Sequence, residues 1–381
     1  MHVVMISKAC IVGVYQKKLE ALAREPDIQL TVLVPPKWKD DRGEQPLERA
    51  FTNGYELRVT PIRFNGRFHF HYYPRLAAEL DDLRPDLLHI DEEPYNLATR
   101  RAVGLAVKLD VPALFFTWQN INRRYPFPFD WWERYNYHHA HHAIAGNHDA
   151  EAVLRAKGYT GPVSVIPQFG VDPNLFSPPA QPRPKHPFTI GYAGGVIPAK
   201  GLDVLIRACA QLSASWELHL VGAGSEEIPL QALADKLGVG NRVHWLGKRP
   251  SLEMPDFYRS IDVLVLPSRT TPRWKEQFGR VLVEAMACET PVVGSDSGEI
   301  PYVIGSDGLI FPEDDIDALA AHLRNLQEDT VLRRELGRRG RERVLANYTQ
   351  TQIARATAEV YRQMAREHTM ATSRNANIRP K

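Results

Sequence analysis

Cysteine is scarce in this chain of 381 residues: there are three, Cys10, Cys209 and Cys288, and no two are spaced C-x-x-C. That excludes a disulfide scaffold and fits a reducing compartment. No run of about 18 apolar residues occurs, so no membrane-spanning helix is expected. Neither sign of charge is in excess: 47 Lys and Arg against 45 Asp and Glu leave a net charge of +2. That is too little to argue for a nucleic-acid partner. Lys8 interrupts the apolar run at 1–6, so a first strand is expected there rather than a leader, and with it a cytoplasmic protein. What remains is ordinary. Hydrophobic residues make up 44% of the chain, which suffices for two globular domains.

Short apolar runs at 3–6, 28–34, 87–90, 113–117 and 163–166 read as strands. They alternate with helical periods at 14–24, 73–83, 96–109, 130–139 and 148–157. Such alternation predicts a parallel sheet covered by helices on both faces. Five prolines between Pro178 and Pro187 exclude helix and central strand, so 178–187 reads as an extended linker or a long surface loop. The alternation then restarts, with strands at 188–193, 216–221, 242–246, 262–266 and 291–294. Helices follow at 201–212, 228–237, 278–288, 316–327 and 331–346. The expected fold class is therefore α/β with two similar halves, an N-terminal domain at 1–177 and a C-terminal domain at 188–348. Ligands of such sheets bind beyond the carboxyl ends of the strands. A last helix at 349–366 is expected to pack back on the first domain, and the polar stretch 367–381 to be frayed.

Two glutamates carry the chemistry. From Val281 to Cys288 every residue except Glu284 is apolar or small, the pattern of a buried helix. A buried carboxylate costs several kcal/mol unless donors meet it. Glu276 lies just upstream, where N–H groups point out of the helix end and attract phosphate. Bare N–H groups beside two carboxylates suit a ligand that is part phosphate and part polyol, such as a nucleotide sugar. The plainer alternative is a Glu284 paired with a core arginine or capping a loop. A strand ending in Gly194-Gly195, with Lys200-Gly201 at the next helix start, gives a second anion-compatible turn. The turn Gly222-Ala223-Gly224 lacks the third glycine of a dinucleotide fingerprint, where Glu227 stands, and reads as a tight turn only.

The segments AGGVIPAKGLDVLIRA, LHLVGAG, VHWLG, DVLVLPS and EQFGRVLVEAMACETPVVGSDSGEIPYVI together resemble the retaining glycosyltransferases of family 4. The last carries that family's E-x7-E signature. The resemblance implies the GT-B fold, two Rossmann-like domains facing each other across a cleft. It implies an enzyme that moves a hexose-type sugar from a nucleotide-diphosphate donor, UDP- or GDP-linked, to a glycan or lipid-linked glycan with retention of configuration. No metal and no further cofactor is implied. Glu284 would bind the ribose hydroxyls, and Glu276 the donor sugar at the reacting centre. Lys200, with Gly194, Gly195 and the N–H groups of Phe278 and Gly279, would meet the diphosphate. Arg249, next to Lys248, would edge the base. An epimerase acting on the donor without acceptor, and a non-catalytic binder of nucleotide or carbohydrate, are the competing readings.

The chain departs from the family pattern at several positions. The arginine usual after the first phosphate-loop glycine is replaced by Gly195, and Arg280, or Arg273 upstream, is a candidate to supply the charge. The first loop, which commonly has paired glycines, has only Gly13, a further expected donor contact, with Lys8 beside it. Gln119 stands where many members have histidine, and it cannot shuttle a proton. Glu289 replaces a common glycine. Gln119, Asn120, Arg123 and Arg124 are the expected acceptor-side residues. Residues 120–137 and 63–75 are dense in aromatic and basic side chains. They read either as a packed loop and helix or as an acceptor rim in peripheral contact with the inner face of a membrane. His138 and His142, if one helical turn apart, are a weak metal pair without a third ligand, so a polar helix end is the reading taken.

Overall fold

The computed structural model describes residues 1–40, 43–181 and 186–378, and it divides the chain into two compact units. In the first unit the strands are β1 (His2–Ile6), β2 (Gln29–Val34), β3 (Lys37–Asp40), β4 (Gly43–Pro46) and β5 (Glu56–Val59), then β6 (Leu87–Ile90), β7 (Ala113–Thr117), β8 (His142–Ala145) and β9 (Val163–Val165). Seven of them form one parallel sheet in the order β5-β2-β1-β6-β7-β8-β9. β3 and β4 pair separately as an antiparallel hairpin. Apart from Trp38 its strands carry no large apolar side chain, so no run of alternating apolar residues announces them in the sequence. Helices α1 (Lys17–Ala23), α2 (Leu76–Leu83), α3 (Leu97–Leu109), α4 (Phe129–His139) and α5 (His148–Ala156) connect the strands. Successive residues of β1 show the layering: Val3 and Met5 join one apolar core, Val4 and Ile6 the other.

The second unit, Val171–Thr349, repeats the plan. Its strands are β10 (Phe188–Ala193), β11 (Trp216–Val221), β12 (Val243–Trp245), β13 (Val263–Leu266), β14 (Val292–Ser295) and β15 (Leu309–Phe311). They form a parallel sheet in the order β12-β11-β10-β13-β14-β15. The helices are α6 (Leu202–Ala210), α7 (Glu227–Lys236), α8 (Met254–Arg259), α9 (Arg280–Ala287), α10 (Ile300–Ile304), α11 (Ile316–Glu328) and α12 (Thr330–Asn347). Every residue of β10 and β13 is buried, as strands covered on both faces must be.

The last helix, α13 (Gln350–Ile378), belongs to the first unit. Ile353, Ala354, Ala358, Tyr361 and Met364 recur at helical spacing and join the core of Val3, Met5 and Leu22. The Tyr361 hydroxyl lies 2.6 Å from His89 Nδ1, and Arg362 binds Glu25 at 2.7 Å.

Two boundaries differ from those read in the sequence. The first unit ends at Gly170 rather than 177, because Val171 bridges to Thr349 and Phe176 is buried in the second unit's core. Within 178–187, residues 178–181 and 186–187 carry neither helix nor strand, and 182–185 lie outside the described residues. The stretch 367–378 continues α13 instead of fraying, and its hydroxyls fold back on the helix: Thr369 Oγ1 donates to Ala365 O at 2.9 Å and Ser373 Oγ to Thr369 O at 2.8 Å. Residues 379–381 lie outside the described residues.

Candidate functional site

At the carboxyl ends of β10 and β11 the backbone itself forms the surface. Gly194 has φ +153° and Gly222 φ +145°, a region that favours glycine. A Cβ on Gly222 would fall 1.8 Å from the Gly194 carbonyl oxygen, so the two turns touch backbone to backbone. Tyr192 Oη donates to Gly195 O at 2.7 Å and fixes the first turn from below. These turns open one wall of a cavity of about 400 Å³. Gly194, Gly195, Gly222, Lys248, Arg249, Tyr258, Arg280 and Glu284 all line it. A larger cavity, about 620 Å³, lies beside Phe188 and Ser215 at the opposite, amino-terminal ends of the strands. The smaller one is the candidate site, because sheets of this kind bind ligands at the carboxyl ends.

Glu284 sits in the middle of α9, buried, with both oxygens engaged. Tyr258 Oη donates to Oε2 at 2.7 Å, and Arg280 Nε donates to Oε1 at 2.8 Å. Burial pushes this carboxyl above the usual glutamate range, while Arg280 and Tyr258 pull against it. An arginine partner is what the plainer reading of Glu284 requires. Arg280, however, is no core arginine. It stands one turn before Glu284 on the same helix, its side chain is 48% exposed, and it lines the same cavity. Each carboxylate oxygen has two lone pairs, so acceptor capacity remains for a ligand hydroxyl.

Glu276 and Lys200 meet each other outside the lining of that cavity. Lys200 ends a short turn, Pro198–Lys200, and the following Gly201 has φ +63°. Lys200 Nζ donates to Glu276 Oε2 at 2.5 Å and lies 4.7 Å above the Trp274 ring. Ser268 Oγ donates to the same oxygen at 3.0 Å. Oε1 accepts nothing among the described residues. The backbone of Glu276 is fixed as well: Glu299 N–H donates to its carbonyl at 3.2 Å, and a Cβ on Gly298 would lie 2.2 Å from that oxygen. Gly279, with φ +74°, caps the start of α9, and the half-buried Phe278 packs its ring 5.8 Å from Tyr348.

The remaining expected residues lie in the first unit. Gly13 is buried, and its N–H donates to Glu48 Oε2 at 2.6 Å. Gln119 and Asn120 are buried, while Arg123 and Arg124 are exposed. Gln119 Oε1 accepts from Lys157 Nζ at 3.1 Å, and Lys157 is also paired with the buried Glu133 at 2.7 Å. The histidine pair does not form: α4 ends at His139 and His142 begins the buried strand β8.

Sequence reasoning missed the acidic triplet Asp91-Glu92-Glu93 that follows β6. Asp91 accepts from Ser7 Oγ at 2.5 Å and Gln168 Nε2 at 2.9 Å. Glu92 pairs with Lys8, and His71 Nε2 is 3.3 Å away. Burial alone would raise Glu92, yet Lys8 and His71 hold it at about 2. Glu93, whose carboxylate is bound among the described residues only by Thr117 Oγ1 at 2.6 Å and the Trp118 N–H at 2.9 Å, is pushed up by burial to about 7. The signal was available: three acids in a row at the carboxyl end of an apolar strand.

Comparison with known proteins bears on the family and the fold. Residues 17–175 match the model described as Glycosyltransferase Family 4, and 176–343 the model described as Glycosyl transferases group 1. A D-inositol 3-phosphate glycosyltransferase of Corynebacterium jeikeium is 33% identical over 216 residues, half of this chain and half of that protein. The chain thus spans about half the length of the curated relatives it matches. Among solved structures, a sucrose-phosphate synthase of Thermosynechococcus elongatus superposes with a TM-score of 0.70 at 22% identity, covering 96% of this chain and 99% of that one. HepE of Anabaena, solved with UDP, superposes with a TM-score of 0.68 at 19% identity, covering 95% and 99%. Both likenesses are of fold.

Proposed function

The chain belongs to the family 4 glycosyltransferases with the GT-B fold, and on that premise we propose that it transfers a sugar from a nucleoside-diphosphate sugar to a glycan or lipid-linked glycan with retention of configuration. The observation that carries this reading is Glu284 in the wall of a cavity whose other walls are glycine backbone and the cations Lys248, Arg249 and Arg280. The neighbours solved with UDP and with UDP-glucose support a nucleotide-sugar donor.

In this account Glu284 accepts hydrogen bonds from the ribose diol while Tyr258 keeps the carboxylate fixed. Gly194 and Gly195 let the diphosphate approach the backbone, with Arg280 and Lys200 opposing its charge. The open Oε1 of Glu276 takes a hydroxyl of the donor sugar. As the glycosidic bond breaks, negative charge grows on the leaving diphosphate, and preplaced cations stabilise it more than they do the ground state. The acceptor attacks on the face from which the diphosphate leaves, and a phosphate oxygen takes its proton. No metal or further cofactor enters the scheme. The first unit, with Gln119, Asn120, Arg123 and Arg124, holds the acceptor.

No helix among the described residues is long and apolar enough to cross a membrane. The first unit does expose Phe64, Phe68, Phe70, Phe127 and Trp131, interleaved with the exposed Arg63, Arg67, Arg123 and Arg124. Phe70 and Phe129 rings at 5.2 Å tie the two segments together. Aromatic and basic side chains on one surface favour an anionic membrane, so a lipid-linked acceptor at the cytoplasmic face is the version we favour.

The test is a panel of UDP- and GDP-sugars incubated with the protein, with and without glycan acceptors. Release of nucleoside diphosphate and a product of unchanged anomeric configuration are expected. No release from any donor would contradict the reading.

A further inference from the structure

On the outer pair of strands in the second sheet, three side chains converge that the donor site does not use. Glu217 and His219 alternate along β11 and so stand on one face of the sheet, and His244 is the register partner of His219 on the edge strand β12. His219 Nε2 lies 3.1 Å and His244 Nε2 3.8 Å from Glu217 Oε2, and all three ligand atoms fall within 4.8 Å of one another. The two imidazole rings are edge-on at 5.1 Å. His244 Nε2 is shielded from solvent and makes no hydrogen bond among the described residues, although the side chain as a whole is 41% exposed. A shielded ring nitrogen left without a partner is costly, and a hydrogen bond to Glu217 is out of reach at 3.8 Å.

We propose that Glu217, His219 and His244 are the ligands of a divalent transition-metal site, with zinc as the ion it suits best. Two imidazole nitrogens and one carboxylate form a borderline donor set that favours Zn²⁺ over Mg²⁺ or Ca²⁺. In tetrahedral zinc with bonds near 2.0–2.1 Å, neighbouring ligand atoms sit about 3.4 Å apart. The two separations from Glu217 Oε2, 3.1 and 3.8 Å, bracket that value. An ion between the three atoms gives His244 Nε2 its missing partner and leaves a fourth position for water. Among the described residues no other group of three such side chains meets this geometry. His219 precedes the cavity residue Val221 by two positions and His244 precedes Lys248 by four, so an ion here fastens the edge strand to β11 just below the donor cavity. The inference is independent of the donor reading, because it needs no nucleotide and no turnover.

The test is direct. The full chain, stripped with chelator and desalted, is titrated with Zn²⁺ against a chromophoric competing chelator. One ion per chain is expected, with affinity lowered at least about tenfold in Glu217→Gln, His219→Gln and His244→Gln, each losing one of three protein ligands. Circular dichroism checks that each variant keeps its fold. Should a variant unfold, the wild type still decides the matter: zinc must protect His219 and His244 from diethyl pyrocarbonate, read by mass spectrometry. Absence of zinc binding, variants that bind as well as wild type, or loss of binding only when His138 and His139 are replaced would each overturn the proposal.

Discussion

Tyr258 donates its hydroxyl to Glu284 Oε2 at 2.7 Å from inside the core, where its own side chain is fully buried. On the proposed reading, that bond keeps the carboxylate aimed at the cavity while Arg280 serves the diphosphate. Tyr258→Phe leaves a buried, charged acceptor with one donor fewer, which costs about 1.5–3 kcal/mol. We expect this loss in urea unfolding, together with a several-fold weaker nucleotide affinity. An unchanged unfolding midpoint would mean that the hydroxyl does not support Glu284.

Lys200 and Glu276 should act on turnover more than on binding. Lys200→Met removes the ammonium that faces Glu276 and, on the proposed reading, the growing diphosphate charge. By comparison with loss of one preorganised charge-stabilising donor, about 10²–10³ in turnover is expected. Glu276→Ala should likewise lower the rate of sugar transfer while the nucleoside diphosphate still binds. Single-turnover measurements with saturating donor separate the two effects.

Much of the fold is legible in the sequence because buried parallel strands are short apolar runs and the helices between them are periodic. The polar hairpin β3–β4 carries no such signal. The proline-rich segment pointed to a boundary near 177, but chain crossing is set by where Val171 and Phe176 find partners, and those partners are Thr349 and a core formed far along the chain. Glu276 and Glu284 stood out because a carboxylate among apolar neighbours is conspicuous. Their supports did not. Tyr258 is 26 positions from Glu284 and Lys200 is 76 from Glu276, so only folding reveals the contacts.

Glu93 makes stability depend on pH. Its folded value of about 7 lies above that of an exposed glutamate, so the native state holds a proton that the unfolded chain has lost. Stability from this group is therefore full below the unfolded value and declines as pH rises toward 7. Glu93→Gln should relieve this by up to about 3 kcal/mol at pH 8 and by little at pH 4. Thermal melts of both proteins across that range would show the gap opening with pH, and a constant gap would contradict the assignment.

Glu289 occupies the position after the C-cap of α9 with φ +59°, a conformation that costs a side-chain-bearing residue about 1–2 kcal/mol. Glu289→Gly should raise the melting temperature without changing activity. By contrast, a Cβ at Gly195 meets nothing within 4 Å, so Gly195→Arg fits and should tighten nucleoside-diphosphate binding in calorimetry.

The proposed donor site depends on Glu284 gripping the ribose. Calorimetric titration with UDP or GDP, whichever binds more tightly, and with its 2′,3′-dideoxy analogue tests it most directly. Wild type should prefer the natural nucleotide at least about tenfold, as a site built to pair a hydroxyl does, and Glu284→Ala should bind both forms equally. Equal binding of the two forms by wild type, or a preference that survives in Glu284→Ala, would contradict the account.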